Sequence, residues 1–349
     1  MRELLERKVH FAYYTLDIED PLLKLNNEYF HSRFLGFGVI AKHRASNLTE
    51  PVILSTTPNI GTKGYPVKRS PKTTKLIHVF HSLVDLSMYR LGSLDHYDTV
   101  IVPGEYHADP IREIELKRGL KQKELIALGS PYLDPLLAEQ RTIQSQHCST
   151  NQPQHYSTVA LHDRCILIGS SWGDKGLLKN YGIEPFIQLA KNDWQVIIRP
   201  HPHSMKHEPD LIRRLQKQSA GCANIEWDHS LSPIASMSKA KLLISDTSSL
   251  RFDFAFIYEK PVLTLEIPES VMSGFERDDM DEIWSDGAAL EIGQAINRRE
   301  AETNLESHVM KTLELFDARR IRQYRDANVA NFGCAAQAIT DYLVSKVIA

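Results

Sequence analysis

The stretch KLLISDTSSLRFDFAF, residues 241–256, decides the fold that we predict for this chain. It opens with the apolar run 241–244, which is typical of a buried strand, and continues into a turn of small polar residues. Apolar residues with helical spacing follow at Leu250, Phe254 and Ile257. A strand, a polar turn and a helix in this order place ligand-binding groups at the carboxyl edge of an open α/β sheet.

The polar turn in this stretch has two interpretations. Its residues are Ser245, Asp246, Thr247, Ser248 and Ser249. Their hydroxyls, together with the free amide N–H groups at the start of the helix, suit a phosphate group. The same residue types are also the favoured N-caps of ordinary helices. The turn alone does not separate the two interpretations, so the rest of the chain has to decide between them.

The alternation of strands and helices occurs on both sides of one polar segment. The candidate strands are 52–55, 76–80, 99–102, 125–128, 165–169, 194–198, 225–227, 241–244 and 261–265. Residues 145–158, which are rich in Gln, Ser and His, interrupt the pattern. We therefore predict an α/β, GT-B-like fold in which two Rossmann-like domains with parallel sheets face a central cleft. The predicted division is an N-terminal acceptor domain (1–150), a C-terminal nucleotide-donor domain (151–330) and a C-terminal helix (331–349) that returns to the N-terminal domain.

Composition narrows the class of protein. The formal net charge of -3 gives no global field that would favour nucleic acid. The four cysteines are scattered without a CxxC motif, which indicates a reducing compartment. No apolar run reaches the roughly 18 residues of a membrane span, and the N-terminus lacks an apolar signal core, so we expect a cytoplasmic protein. No GxGxxG, Walker A or HExxH motif points to another common site.

A histidine follows the candidate strand 76–80. His78 and His81 have HxxH spacing, but side chains three apart on a strand point to opposite faces and do not readily share a metal ion. His78 is therefore expected to pack within the sheet. His81, at the end of the strand, can face the cleft and accept a proton from an attacking hydroxyl. The alternative is an ordinary histidine in a surface loop.

Other candidate site residues also follow predicted strands. Arg199 offers a planar fork to phosphate oxygens, and the prolines on either side of His201 fix its direction. Metal binding by His201 and His203 has little carboxylate or cysteine support, so we expect no metal. The glycine-containing strand ends 129–134 and 169–176 allow close backbone approach or form plain turns.

Two clusters of basic residues have no assigned chemistry. They are Lys63, Lys68, Arg69, Lys72 and Lys75 in one cluster and Arg319, Arg320, Arg322 and Arg325 in the other. Such runs are usually solvated faces. A second interpretation of the arginine cluster is a helix that faces anionic lipid, which would give peripheral membrane association.

Taken in order, these motifs resemble the CDP-glycerol glycerophosphotransferase family, the primases and polymerases of teichoic acid and related capsules. The resemblance covers residues 76–265. The family motifs HGT, Ser-Glu-Tyr, GxPRxD, PTWR, RxHP and SDYSSxxxDF are matched in part or in full by His81-Ser82-Leu83, Tyr97 to Tyr106, Gly129 to Asp134, Ser170 to Gly173, Arg199 to Pro202 and Ser245 to Phe254.

The resemblance implies a GT-B transferase that moves glycerol phosphate or ribitol phosphate from a CDP-linked donor to a hydroxyl of a cell-surface polymer or lipid-linked acceptor. It implies His81 and His201 as catalytic residues, and no cofactor apart from the donor, which is a substrate. The implied nucleotide or phosphate ligands are Arg199, Ser171, Trp172, Ser245, Asp246, Thr247, Ser248 and Ser249. The implied acceptor side consists of Ser82, Gly129 and Ser130.

The chain also departs from the family pattern. HGT has become His81-Ser82-Leu83, and the arginines of GxPR and PTWR are replaced by Tyr132 and Gly173. These changes keep three alternatives open. They are a GT-B glycosyltransferase that uses a CMP-, UDP- or GDP-linked sugar in capsule or lipopolysaccharide synthesis, a nucleotide-sugar epimerase, and a non-catalytic nucleotide-sugar-binding protein. The sequence does not indicate an oligomeric state.

Overall fold

The computed structural model describes residues 1–65, 67–149 and 164–348, and this part of the chain forms three parallel sheets. The predicted domain boundary and residues 150–158 of the predicted linker lie outside the described residues. The first elements are α1 (Arg2–Glu6), β1 (Phe11–Thr15), β2 (Phe30–Phe34) and α2 (Gly38–Ser46). Strands β1 and β2 form a two-stranded sheet. In this part of the sequence only residues 9–14 have a strand-like pattern, because the short elements are half exposed and lack continuous apolar runs.

A four-stranded sheet forms the centre of what we call the first half. Its strands, in sequential order, are β3 (Val52–Ser55), β4 (Lys75–Val79), β5 (Thr99–Val102) and β6 (Glu124–Ala127). Its helices are α3 (Ala108–Arg118) and α4 (Leu133–Ser149). Helix α3 is followed by Gly119, whose φ of 62° is left-handed, a conformation that glycine readily adopts at the end of a helix. Every residue of β5 is buried, which is typical of a parallel sheet covered on both faces.

A six-stranded sheet forms the centre of the second half. Its strands are β7 (Cys165–Gly169), β8 (Gln195–Arg199), β9 (Ile225–Trp227), β10 (Leu242–Ser245), β11 (Val262–Leu265) and β12 (Gly293–Ile296). The spatial order is β9-β8-β7-β10-β11-β12. The chain therefore builds the sheet outward from β7, returns, and builds it outward in the other direction from β10. The two strands β7 and β10 flank the topological switch point, where open α/β sheets bind their ligands.

Helices cover both faces of this sheet. They are α5 (Leu177–Tyr181), α6 (Glu184–Lys191), α7 (Pro202–His207), α8 (Pro209–Ser219), α9 (Ile234–Lys239), α10 (Leu250–Tyr258), α11 (Trp284–Glu291) and α12 (Arg298–Glu314). Helix α10 is the most enclosed, since residues 251–257 are all buried. Its Phe252 and Phe254 share an apolar cluster with Leu83 and Val84 of the first half. This helix therefore joins the two halves.

The chain then returns to the first half. Helix α13 (Ala318–Asn328) leads to α14 (Ala335–Tyr342) and a π-helical turn, Leu343–Ile348. The crossing is close, because a Cβ atom on Gly104 would lie 1.8 Å from the Asn328 carbonyl oxygen. Beyond it, α14 packs on the apolar face of β4 and β5. The assignment of the halves as acceptor and donor domains stays a prediction.

The two halves are also joined by polar contacts. The Arg118 guanidinium lies 2.5 Å from Glu276 and 2.6 Å from Asp279, and the buried Asp85 accepts hydrogen bonds from the amide and hydroxyl of Ser285. Among the helices of the described ranges, none combines the length and the apolarity needed to cross a membrane.

Candidate functional site

The predicted site residues lie at the carboxyl edges of the two large sheets. On the first half, His81 and Ser82 follow β4, and Gly129 and Ser130 follow β6. On the second half, the residues after the central strands are Ser171 and Trp172 after β7, Arg199 and His201 at the end of β8, and the turn 245–249 at the end of β10. The predicted nucleotide ligands thus come together at the switch point and the adjoining strand.

Asp246 organises this edge of the sheet. Its carboxylate accepts hydrogen bonds from the Ser171 amide at 2.8 Å, the Ser171 hydroxyl at 2.6 Å, the Leu177 amide at 2.6 Å and the Ser248 amide at 2.9 Å. The side chain is fully buried, so it links the loops after β7 and β10 from inside the protein. The direct phosphate contact predicted for Asp246 does not agree with this geometry, because both carboxylate oxygens already accept protein donors and would repel a phosphate.

The hydroxyl groups of the polar turn differ in their surroundings. The buried Ser245 hydroxyl donates to the Gly169 carbonyl oxygen at 2.6 Å and so ties β10 to β7. Ser248 Oγ accepts a hydrogen bond from the Leu250 amide at 3.3 Å, whereas the N-cap residue Ser249 makes no side-chain capping hydrogen bond. Ser248 and Ser249 are half-buried, and the Thr247 hydroxyl is buried without a hydrogen-bond partner among the described residues. Ser245 is thus used inside the sheet, and the phosphate contacts predicted for Thr247, Ser248 and Ser249 stay predictions.

Arg199 is held by protein partners. Its Nη1 lies 2.6 Å from Asp228 and 3.2 Å from the Ser230 hydroxyl, and Nη2 donates to the Leu231 carbonyl oxygen at 3.0 Å. Burial raises the pKa of Asp228, but hydrogen bonds from Ser230, Ser236 and Arg199 outweigh it and lower that pKa to about 2. The bidentate phosphate contact predicted for Arg199 therefore does not agree with the structure, in which the guanidinium forms an internal ion pair with Asp228.

His201 is the N-cap of α7. Its Nδ1 accepts a hydrogen bond from the His203 amide at 3.0 Å, so the proton of the neutral ring is on Nε2, which can donate to a phosphate oxygen. Burial and the charges of His203, Lys175 and Arg199 lower the pKa of His201 to about 4. Near pH 7 His201 therefore offers a hydrogen bond rather than a positive charge, and its implied catalytic role stays a prediction.

Trp172 and the three histidines His201, His203 and His207 form an aromatic surface. The Trp172 ring lies 5.0 Å from that of His203 and 6.4 Å from that of His201, and the rings of His203 and His207 stack at 5.6 Å. Stacked imidazoles cannot easily direct their nitrogens at one ion. Within the described ranges, no group of three or more His, Cys, Asp or Glu side chains is arranged to hold a metal.

His81 has the environment of a residue in a cleft. Its side chain is exposed to solvent, yet the protein atoms around it lower its pKa by burial, and a backbone hydrogen bond with Thr56 opposes that shift. Leu83, two residues later, accepts a hydrogen bond from the Tyr106 hydroxyl at 2.6 Å. Tyr106 stacks on Trp284 at 3.8 Å. These contacts fix the loop after β4 against the second half.

The two residues predicted after β6 differ in their surroundings. Gly129 has a φ of +90°, and a Cβ atom there would lie 2.3 Å from the Ala330 carbonyl oxygen. The returning chain therefore accounts for this glycine without an acceptor. Ser130 is buried, and its hydroxyl has no hydrogen-bond partner among the described residues. Its acceptor-side role, like that of the half-buried Ser82, stays a prediction.

Sequence reasoning missed polar side chains buried behind the turn. Arg251 and Asp253 are each 2% exposed, and Arg251 Nη2 and Asp253 Oδ1 have no hydrogen-bond partner within the described part of the chain. Burial raises the pKa of Asp253 to about 7. Burial raises the pKa of Tyr132 of the first half, and the charge of Asp253 adds to that shift. The available signal was the presence of two charges in the otherwise apolar run 250–257.

We expect Asp253→Asn to stabilise the protein more at pH 8 than at pH 5. The folded pKa of about 7 exceeds the ordinary value of 3.8, so stability is lost as pH rises between these values. Asparagine has the same shape and does not titrate. Thermal unfolding should show a gain of about 2 °C or more at pH 8. An equal change at both pH values would contradict a buried titrating carboxyl, and the exposed Asp210→Asn is the control.

Comparisons with known proteins agree with this architecture. Residues 72–267, more than half of the chain, match the family model described as CDP-Glycerol:Poly(glycerophosphate) glycerophosphotransferase. No curated protein sequence matches the chain. Among solved structures, the wall teichoic acid polymerase TagF is similar with a TM-score of 0.57 at 14% identity, over 99% of this chain and 85% of that one.

Two other similar structures are UDP-GlcNAc 2-epimerases. The enzyme from Neisseria meningitidis, bound to UDP-GlcNAc, has a TM-score of 0.55 at 14% identity over 97% of this chain and 100% of its own. The enzyme from Methanocaldococcus jannaschii, in complex with UDP-GlcNAc and UDP, has a TM-score of 0.58 at 14% identity over 98% and 94%. These likenesses show the fold and confirm the GT-B-like prediction. With the family match, they confirm the resemblance: the chain belongs to the CDP-glycerol:poly(glycerophosphate) glycerophosphotransferase family, and is a transferase of that type.

Proposed function

We propose that this protein transfers glycerol phosphate or ribitol phosphate from a CDP-linked donor to a hydroxyl group of a cell-surface polymer or its lipid-linked precursor. Membership of the family supports a nucleotide-activated donor and a polymer acceptor. The similarity to TagF, a wall teichoic acid polymerase, supports a polymer of the cell envelope. The donor is consumed as a substrate, and we propose that no further cofactor takes part.

One observation carries the proposal. The loop after β7 and the polar turn after β10 lie at the switch point of the six-stranded sheet, and Asp246 ties them together. The helix that starts there, α10, contributes the positive end of its dipole. The half-buried Ser248 and Ser249 at this helix start lie at the same edge of the sheet as His201, and their hydroxyls together with the Nε2–H of His201 suit a diphosphate.

The proposed reaction needs positioning and charge stabilisation rather than a covalent intermediate. The acceptor hydroxyl oxygen forms a bond to the β-phosphorus of the donor, and the bond from that phosphorus to the bridging oxygen breaks. CMP leaves with the electron pair of that bond. His81 accepts the hydroxyl proton, because its lowered pKa keeps the imidazole neutral near pH 7. Nε2–H of His201 donates to an oxygen of the diphosphate.

We propose that the reaction takes place in the cytoplasm, at the inner face of the membrane that carries the acceptor. The arginine cluster gives little support to direct lipid contact. Arg320 pairs with Glu291 at 2.9 Å, and Arg322 and Arg325 pair with Glu259 at 2.5 and 3.2 Å. A lipid-linked acceptor is therefore the more direct reason for peripheral association.

Calorimetric titration with CDP, UDP and GDP tests the donor class. We expect CDP to bind at least about tenfold more tightly than the other two, a difference of about 1.4 kcal/mol. Incubation with CDP-glycerol and CDP-ribitol should then release CMP in the presence of a teichoic acid acceptor. Equal binding of the three nucleotides would contradict the proposal.

The released nucleotide separates the alternatives. Release of a nucleoside diphosphate from a nucleotide sugar would indicate glycosyl transfer. Epimerisation without net nucleotide release would indicate an epimerase, an outcome to test because two similar structures are UDP-GlcNAc 2-epimerases that contain UDP-GlcNAc. Binding without turnover of any donor would indicate a non-catalytic nucleotide-sugar-binding protein.

A further inference from the structure

Two positively charged residues from different halves adjoin Phe275. Lys175 lies in the loop after β7, and its Nζ is 4.7 Å from the centre of the Phe275 ring. Arg90 belongs to the first half, and its backbone forms an antiparallel bridge with that of Phe275. The segment around Phe275 therefore brings together two residues that belong to different halves.

Neither cation has a carboxylate partner. Among the described residues, no carboxylate oxygen lies within 4 Å of the Arg90 guanidinium or the Lys175 ammonium group. Neighbouring cations are paired: Arg118 contacts Asp95, Glu276 and Asp279, and Lys179 contacts Asp174 at 2.6 Å. Arg90 and Lys175 thus differ from these two neighbouring cations in having no counter-ion among the described residues.

The charge of Lys175 is coupled to the charges of Arg90 and of two residues at the predicted nucleotide site, Asp246 and His201. Burial lowers the pKa of Lys175; the charge of Asp246 opposes this shift and that of Arg90 adds to it. The charge of Lys175 in turn contributes to the lowered pKa of His201. Lys175 is therefore a near neighbour of Arg90, Asp246 and His201.

Hydrogen bonds fix the backbone near both Arg90 and Lys175. Next to Arg90, the Tyr89 carbonyl oxygen accepts a hydrogen bond from the Glu276 amide at 2.7 Å, and the Glu276 carboxylate accepts one from the Ser93 amide at 2.9 Å. On the other side, Asp246 binds the Leu177 amide at 2.6 Å and holds the loop that carries Lys175. Positions fixed in this way are suited to a ligand that requires defined geometry.

We propose that Arg90 and Lys175 form a two-sided clamp on the diphosphate of the nucleotide donor. The proposal rests on the proposed function, because it takes a nucleoside-diphosphate-linked donor as the ligand. A diphosphate is negatively charged and can serve as the counter-ion of both cations. Further negative charge develops on the leaving nucleotide as the phosphorus–oxygen bond breaks. Cations aimed at that charge stabilise the transition state.

A clamp of this kind also links the two halves through the ligand. Without an anion, the like charges of Arg90 and Lys175 repel each other across the Phe275 segment. A bound diphosphate replaces that repulsion by two attractions. A ligand that makes such differential contacts favours the arrangement in which the halves are close.

The test compares CDP binding by wild type, Arg90→Gln and Lys175→Met in calorimetry, with Lys179→Met as the matched control. Glutamine and methionine retain most of each side-chain stem, so Phe275 stays covered and the fold is preserved, which thermal unfolding checks. We expect each of the first two variants to weaken CDP binding by roughly 10- to 100-fold, as removal of a charge-assisted contact does. Cytidine, which has no phosphate, should bind all four proteins equally.

The possible outcomes separate the clamp from the proposed function. If wild type prefers CDP and both variants bind CDP as wild type does, the clamp is wrong and the function stands. A loss confined to Lys175→Met would also overturn the two-sided clamp. If wild type shows no preference for CDP over UDP and GDP, the proposed function fails, and the variants then test the clamp with whichever nucleoside diphosphate wild type binds.

Discussion

Replacement of His81 by alanine is expected to lower kcat by roughly 10²- to 10⁴-fold, the usual contribution of a positioned general base. The imidazole is exposed to solvent at the end of β4. Two and three residues later, Leu83 and Val84 are buried in the apolar cluster that also contains residues of α10. Because the ring itself is outside that core, the substitution should leave the thermal unfolding temperature nearly unchanged.

The pH dependence of the wild-type rate gives a second test of His81. Only the neutral imidazole can accept a proton, so kcat/KM should rise with pH through the pKa of this residue. Burial lowers that pKa from the ordinary 6.5, so the midpoint of the rise should lie below pH 6.5. The exposed His43 on α2 provides the control, since His43→Ala should retain the wild-type rate and profile. Near-normal turnover in His81→Ala would refute the assignment.

Replacement of Asp246 by alanine should give the largest loss of stability. The substitution leaves the buried amides of Ser171, Leu177 and Ser248 without their acceptor. Each unsatisfied donor costs about 1–3 kcal/mol, so a total of roughly 3–9 kcal/mol is expected for the three amides. Binding of CDP should be lost as well, because the loop after β7 and the turn after β10 are no longer tied together.

Urea unfolding and calorimetry with CDP measure the two effects of this substitution. Asp246→Asn retains one acceptor oxygen and should give an intermediate loss of stability. The exposed Asp210→Ala on α8 is the matched control and should change little. An Asp246→Ala protein that unfolds like wild type would show that the carboxylate does not organise the site.

The sequence was most informative where structure is local. The strands β3, β5 and β7 coincide with their predicted ranges, because each is a short, largely apolar run bounded by turn residues. The two strands β2 and β12 were not predicted, since their residues are polar or only partly buried and carry no such run. The order β9-β8-β7-β10-β11-β12, which creates the switch point, depends on non-local pairing and could not be deduced from the runs alone.

Roles within the site depended on partners far along the chain. Asp246 and Ser171 are 75 residues apart and are joined by hydrogen bonds. Because of these bonds, Asp246 supports the two loops from inside the protein, although the sequence had predicted it to bind phosphate. Arg199 similarly meets Asp228, 29 residues away, and becomes part of an ion pair. Arg90 and Lys175 have no distinctive sequence context, because only the Phe275 segment brings them together.

The return of the chain to the first half also affects how the protein folds during synthesis. Ile339 and Leu343 complete the apolar face of the sheet that contains Ile77, Val79 and Ile101, although more than 200 residues separate the two groups. Loop closure of that length is slow, and β4 and β5 keep an uncovered apolar face until α14 emerges from the ribosome. The first half, although synthesised early, is therefore expected to finish folding late and to depend on chaperones in the interval.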